Sequence, residues 1–80
     1  MRDIVFEVVV PETYSENEGR IIVTMVHMNY NLTKTALAAA MAATGGGAQI
    51  TASQARNAAE GTVAFMREAF PDIRVTCREV

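Results

Sequence analysis

Hydrophobic positions along the chain form patterns that predict strands near both ends. Residues 3–10 (DIVFEVVV) and 73–80 alternate between two faces, as expected of partly covered strands. Residues 20–30 (RIIVTMVHMNY) carry apolar side chains at both odd and even positions. This pattern predicts a further strand covered on both faces, joined to the first by a hairpin across the polar, acidic segment 11–19.

The middle of the chain predicts a first helix over residues 32–43 (LTKTALAAAMAA), where alanine gives high helix propensity. Thr33 stands where an N-cap is expected. Three glycines follow, and Gly45 is suited to the left-handed conformation that ends many helices.

A second helix is predicted to begin at Thr51, which forms a capping box with Gln54, and to end before Pro71. At 100° per residue its apolar side chains fall on one arc of about 160°. The arc comprises Ala55, Ala58, Ala59, Thr62, Val63, Phe65, Met66, Ala69 and Phe70. Gly61 inside this helix predicts a close approach to the alanine-rich helix.

These elements predict an α+β fold of order ββααβ in a single compact domain over residues 1–80. An antiparallel helical hairpin would cover one face of a three-stranded mixed sheet. The last strand would run parallel to the first, and we favour the strand order 2-1-3.

Composition excludes several classes of function. The chain has a formal net charge of −2, which is unlike a nucleic-acid binder. No apolar run reaches the ~18 residues of a membrane span, and no signal peptide is evident, so a soluble cytoplasmic protein without membrane contact is expected. One cysteine and one histidine provide neither a disulfide framework nor a zinc site, and we expect no cofactor.

A catalytic site would have to pair Cys77 with His27 as nucleophile and base. Their placement on separate predicted strands does not favour such a pair, and Cys77 alternates in phase with Ile73 and Val75, as a buried thiol does. The glycine segment 44–51 lacks the lysine of a phosphate-binding loop. We therefore expect no enzymatic activity.

The predicted first helix is unusual because Lys34 is its only charged residue. A helix without a polar face is normally covered on more than one side, and a domain of this size has little material to cover it. We therefore expect it to bind a partner or a second copy. The predicted contact residues are Lys34, Ala38, Ala39, Met41 and Ala42, with Tyr14, Glu16 and Glu18 as a second surface.

The sequence thus predicts a non-enzymatic protein–protein interaction module, homodimeric, that binds and thereby inhibits or assembles a larger complex. A phage- or plasmid-type inhibitor is one protein of this kind. The alternative is a nucleic-acid-binding module that uses Arg20, Lys34, Arg56 and the Gly45–Gly47 loop.

Overall fold

A computed structural model of the chain describes residues 4–45 and 50–80. Within these ranges a strand, two helices and a second strand follow one another. They are β1 (Ile4–Val9), α1 (Glu16–Ala43), α2 (Ala52–Ala69) and β2 (Arg74–Glu79). The α+β class is confirmed, but the order is βααβ.

The predicted strand over residues 20–30 is wrong, because these residues belong to α1 and continue without a break into residues 32–43. The buried residues of α1 are Ile22, Val26 and Tyr30, and they recur every four positions. That spacing places them on one face of a helix. Packing of this face outweighs the β propensity of the segment, which is rich in β-branched side chains.

The start of α1 lies inside the segment expected to be a hairpin loop. The Ser15 hydroxyl accepts a hydrogen bond from the backbone N–H of Glu18 at 3.1 Å, and the Glu18 carboxylate accepts one from the N–H of Ser15 at 2.9 Å. This is a capping box. The predicted N-cap Thr33 is wrong: it lies within α1, where its hydroxyl donates to the carbonyl of Asn29 at 2.8 Å.

The sheet of the described residues has two strands rather than three, and β1 pairs with β2 antiparallel, with Phe6 opposite Cys77. The predicted strand order and the predicted parallel relation of the end strands are therefore wrong. The cause is the missing strand, since its loss removes one reversal of chain direction between β1 and β2.

The predictions for α2 and β2 hold in most respects. Thr51 and Gln54 form the expected capping box, and α2 ends just ahead of Pro71. All the buried residues of α2 belong to the predicted arc, and they are Ala55, Ala58, Ala59, Thr62, Val63 and Met66. Two other members of the arc, Phe65 and Ala69, are exposed.

In β2 the inward face alternates as predicted, with Val75 buried and Cys77 half-buried, while Arg74, Thr76 and Arg78 are exposed.

Among the described residues, the helices and the sheet enclose two hydrophobic clusters. The larger contains Ile22, Val26, Val63, Met66, Ile73 and Val75, and the smaller contains Tyr30, Ala58 and Ala59. Between the helices, the buried hydroxyl of Thr62 lies 2.8 Å from Oδ1 of Asn29 and 3.0 Å from the carbonyl of Ala58. The Thr62 hydroxyl has one hydrogen, so it donates to one of these acceptors at a time. The bond to Asn29 links α2 to α1.

Two glycine predictions have opposite outcomes. Gly45 follows the C-cap Thr44 with φ of 81°, so the predicted left-handed conformation is confirmed. Gly61 is exposed, and a Cβ atom there would meet no neighbour within 4 Å, so the predicted close approach to the first helix is wrong. Gly46 and Gly47 lie outside the described residues.

Candidate interaction surface

Helix α1 has a second apolar face besides the one that packs into the core. Ile21, Met28 and Leu32 are 59%, 55% and 65% exposed. At 100° per residue these three side chains lie within about 40° of one another and roughly 120–160° from the core residue Val26. Met28 and Leu32 therefore lie on the side of α1 that faces away from α2 and the sheet, and Ile21 borders a shallow depression shared with Phe70 at the end of α2.

Exposed alanines continue this stripe toward the end of α1. We call the whole stripe the outer face. It consists of Ile21, Met28, Leu32, Ala36, Ala39 and Ala43. At 1.5 Å per residue the outer face is about 33 Å long. None of its members is charged.

The charged side chains of α1 lie before the outer face along the helix or on another side of it. Glu16, Glu18 and Arg20 are in its first turns, and Arg20 Nη2 lies 2.8 Å from Oε1 of Glu16. Lys34 Nζ lies 4.2 Å from the centre of the Tyr30 ring, a cation–π contact on the side toward α2. No lysine or arginine side chain interrupts the outer face.

Residues 32–43, the predicted first helix, have no buried member in the single chain. Lys34, Ala38 and Met41 are half-buried, and Lys34 and Ala38 line a shallow depression together with Ile50. Ala39 and Ala42 are exposed. Of these predicted contact residues only Ala39 lies on the outer face, and Ala42 lies about 60° to one side of it.

The second predicted surface already has partners within the chain. The Tyr14 hydroxyl donates to the Asp72 carboxylate at 2.7 Å, and this hydrogen bond raises the pKa of Tyr14. The backbone and side-chain hydrogen bonds from Ser15 lower the pKa of Glu18. Glu16 pairs with an arginine one turn later. These groups stabilise the start of α1, and their use as a partner surface stays a prediction.

Cys77 and His27 are the two groups considered for catalysis. Burial raises the pKa of the Cys77 thiol, which reduces the fraction of reactive thiolate. His27 lies on α1, where its Nδ1 is 2.9 Å from the carbonyl of Val23 and its ring meets the edge of Phe6 at 5.9 Å. Across residues 4–45 and 50–80, no cluster of His, Cys, Asp and Glu side chains is arranged to hold a metal ion.

The basic residues predicted for the alternative, nucleic-acid binding, lie apart on α1 and α2, and each already contacts another side chain. Arg56 Nε lies 2.9 Å from Oε1 of Glu79, Arg20 pairs with Glu16, and Lys34 covers Tyr30. Two of the three cations are thus offset by a neighbouring carboxylate, which weakens attraction to phosphate.

Comparison of the chain with protein-family models, curated proteins and solved structures finds no match. Neither α1 nor α2, over the part of each that the structure describes, is long and apolar enough to cross a membrane.

Ile21, Met28 and Leu32 are absent from the contact residues predicted from sequence. The predicted strand over residues 20–30 places Ile21 and Met28 on opposite faces, because odd and even residues of a strand face opposite ways, and so does not group them with Leu32. The pattern that would have found them is their spacing of seven and four residues, which brings side chains together on a helix.

Proposed function

We propose that this chain is a non-enzymatic protein-interaction module that forms a homodimer through the outer face of α1. The observation that carries this proposal is the uncharged apolar stripe on the side of α1 away from the core. Surface helices normally present polar side chains there. A contiguous exposed apolar stripe of this length is typical of a protein–protein contact.

The exposed area of the chain supports a second copy as the occupant. The chain exposes 5447 Å². A compact monomer of this mass is expected to expose ~4,700 Å², so the surplus is roughly 700 Å². One partner of a standard interface contributes about 800 Å², which is close to this surplus.

Helix geometry also suits self-association. The outer face follows a nearly straight line on a helix of 28 residues, and a second α1 is an equally long and straight partner. A homodimer of this kind would carry two copies of every other surface, so it could assemble or block a larger complex without catalysis.

The direct test is the mass of the protein in solution, by light scattering after size exclusion from low to high micromolar concentration. The wild-type chain should be a dimer. Leu32→Glu places a charge in the middle of the outer face and should give a monomer, because burying that carboxylate without a partner is costly.

Phe65→Glu is the matched control, because Phe65 is 49% exposed on α2 and lies outside the outer face. It should stay dimeric, and circular dichroism should show the same helix content in both variants. A wild-type chain that is monomeric throughout, or a Phe65→Glu variant that dissociates as fully as Leu32→Glu, would refute the proposal.

A further inference from the structure

From the order of side-chain sizes along the outer face we infer that the two copies of α1 pack antiparallel, an inference that rests on the proposed homodimer. The large side chains, Ile21, Met28 and Leu32, come first along the helix. The second part of the outer face contains only alanines. The outer face therefore has a large end and a small end.

A parallel pair would set large side chains against large ones at one end and alanine against alanine at the other. The separation of two helix axes depends on the side chains between them, so such a pair would diverge along its length and leave poorly packed space. An antiparallel pair places the large end of each helix on the small end of the other. The two ends of such a pair are equivalent, so the helices do not diverge toward one end.

The inferred pair has a defined register. With the two-fold axis at the level of position 30, Leu32 faces Met28 of the second copy. Ile21 then faces Ala39 of the second copy, since both lie equally far from that level. Ile21 of each copy is thus opposed by an alanine, and the pair of large side chains Leu32 and Met28 lies at the axis.

Charge favours the same direction. A parallel pair would bring Glu18 of both copies side by side at one end, where like charges repel. The antiparallel pair places each Glu18 beside Ala42 in the last turn of the other α1, where the partial negative charge of the helix end repels less than a second carboxylate would. It also aligns the two helix dipoles favourably.

Members of the two surfaces predicted from sequence would then meet across this dimer. Ala39 and Ala42 of one copy would lie near the first turns of α1 in the other, where Glu18 is. Glu16 lies on the opposite side of α1 and stays outside this interface.

Disulfide trapping between two single-cysteine variants tests the direction. In a background of Cys77→Ser, the variants Ile21→Cys and Ala39→Cys are oxidised separately and as a mixture. In the antiparallel dimer, positions 21 of the two copies lie about 27 Å apart along the helix axis. The mixed disulfide should exceed either self-linked product at least about tenfold, because a disulfide needs Cα atoms within ~7 Å.

Each outcome decides a different claim. Self-linked products without the mixed one would show a parallel dimer and overturn the inference, leaving the proposed homodimer intact. A protein that is dimeric by light scattering but gives no disulfide of either kind also overturns the inference. If the Cys77→Ser background variant and the wild type are both monomeric, the proposed homodimer itself is wrong. Phe65→Cys is the control and should form neither product.

Exchanging the side-chain sizes at positions 21 and 39 tests the inference without a cross-link. Ile21→Ala should weaken the dimer by leaving a gap, and Ala39→Ile should weaken it by overpacking against Ile21 of the second copy. The double variant exchanges the two sizes and should recover most of the wild-type dissociation constant. Effects that simply add would show that positions 21 and 39 do not touch, and would overturn the inference.

Discussion

At the scale of single residues, Gly45 and Gly61 differ in whether the backbone conformation requires glycine. Gly45 takes a left-handed conformation at the end of α1, where a Cβ atom would be strained. Gly61 lies within α2 with open space around it. Since glycine has a high conformational entropy in the unfolded chain, Gly61 lowers the stability of α2 without a compensating contact.

Replacing these two glycines with alanine should change stability in opposite directions. Gly61→Ala should raise the free energy of unfolding by about 0.5–1 kcal/mol. Gly45→Ala should lower it by roughly 1–2 kcal/mol, the cost of a left-handed alanine. Urea unfolding at one fixed protein concentration measures both, and a Gly61→Ala variant less stable than wild type would contradict the open space around this position.

At the scale of elements, α1 depends on its N-terminal capping box because its own composition is not strongly helical there. The segment that follows is rich in isoleucine, valine and threonine, which lose side-chain freedom in a helix. Several threonine hydroxyls along α1, those of Thr24, Thr33 and Thr35, donate to the carbonyl four residues earlier. The reciprocal bonds between Ser15 and Glu18 set where the helix begins.

Ser15→Ala removes the side-chain acceptor for the N–H of Glu18 and should cost about 1 kcal/mol of unfolding free energy. Ser53→Ala is the matched control, because Ser53 is an exposed residue inside α2 and is not a cap. It should change stability by less than about 0.5 kcal/mol. Equal losses in the two variants, measured by urea unfolding, would show that the Ser15 cap contributes nothing specific.

At the scale of the whole molecule, the single chain is elongated. Its extents are 48 × 22 × 19 Å, and the long dimension matches the ~42 Å expected of a straight helix as long as α1. A helix of that length exceeds what α2 and a two-stranded sheet can cover. Pairing two copies along α1 would therefore bury surface that the single fold leaves exposed.

Because dissociation accompanies unfolding of a dimer, the midpoint of thermal unfolding should rise with protein concentration. Wild type and Phe65→Glu should both show this rise. Leu32→Glu should have a midpoint that is lower and independent of concentration. The measurement is differential scanning calorimetry over about a hundredfold range of concentration. A midpoint that stays constant for the wild type would contradict a dimer that is linked to folding.

Part of the outer face could be predicted from sequence. Ala39 was identified because the alanine-rich segment has no polar face, a property of composition alone. Ile21, Met28 and Leu32 could not be identified in the same way, because the faces of a segment depend on whether it is a helix or a strand. An incorrect assignment of residues 20–30 therefore also hid the large end of the outer face.

Local sequence by itself determined the two strands at the ends, the capped start of α2 and the left-handed glycine after α1. Alternation, capping side chains and backbone freedom act over a few neighbouring residues, so the sequence shows them directly. Only the tertiary structure decided that residues 20–30 are helical. Their composition suits either state, and the helix is selected because Ile22, Val26 and Tyr30 together meet α2 and the sheet, a contact between residues far apart in the chain.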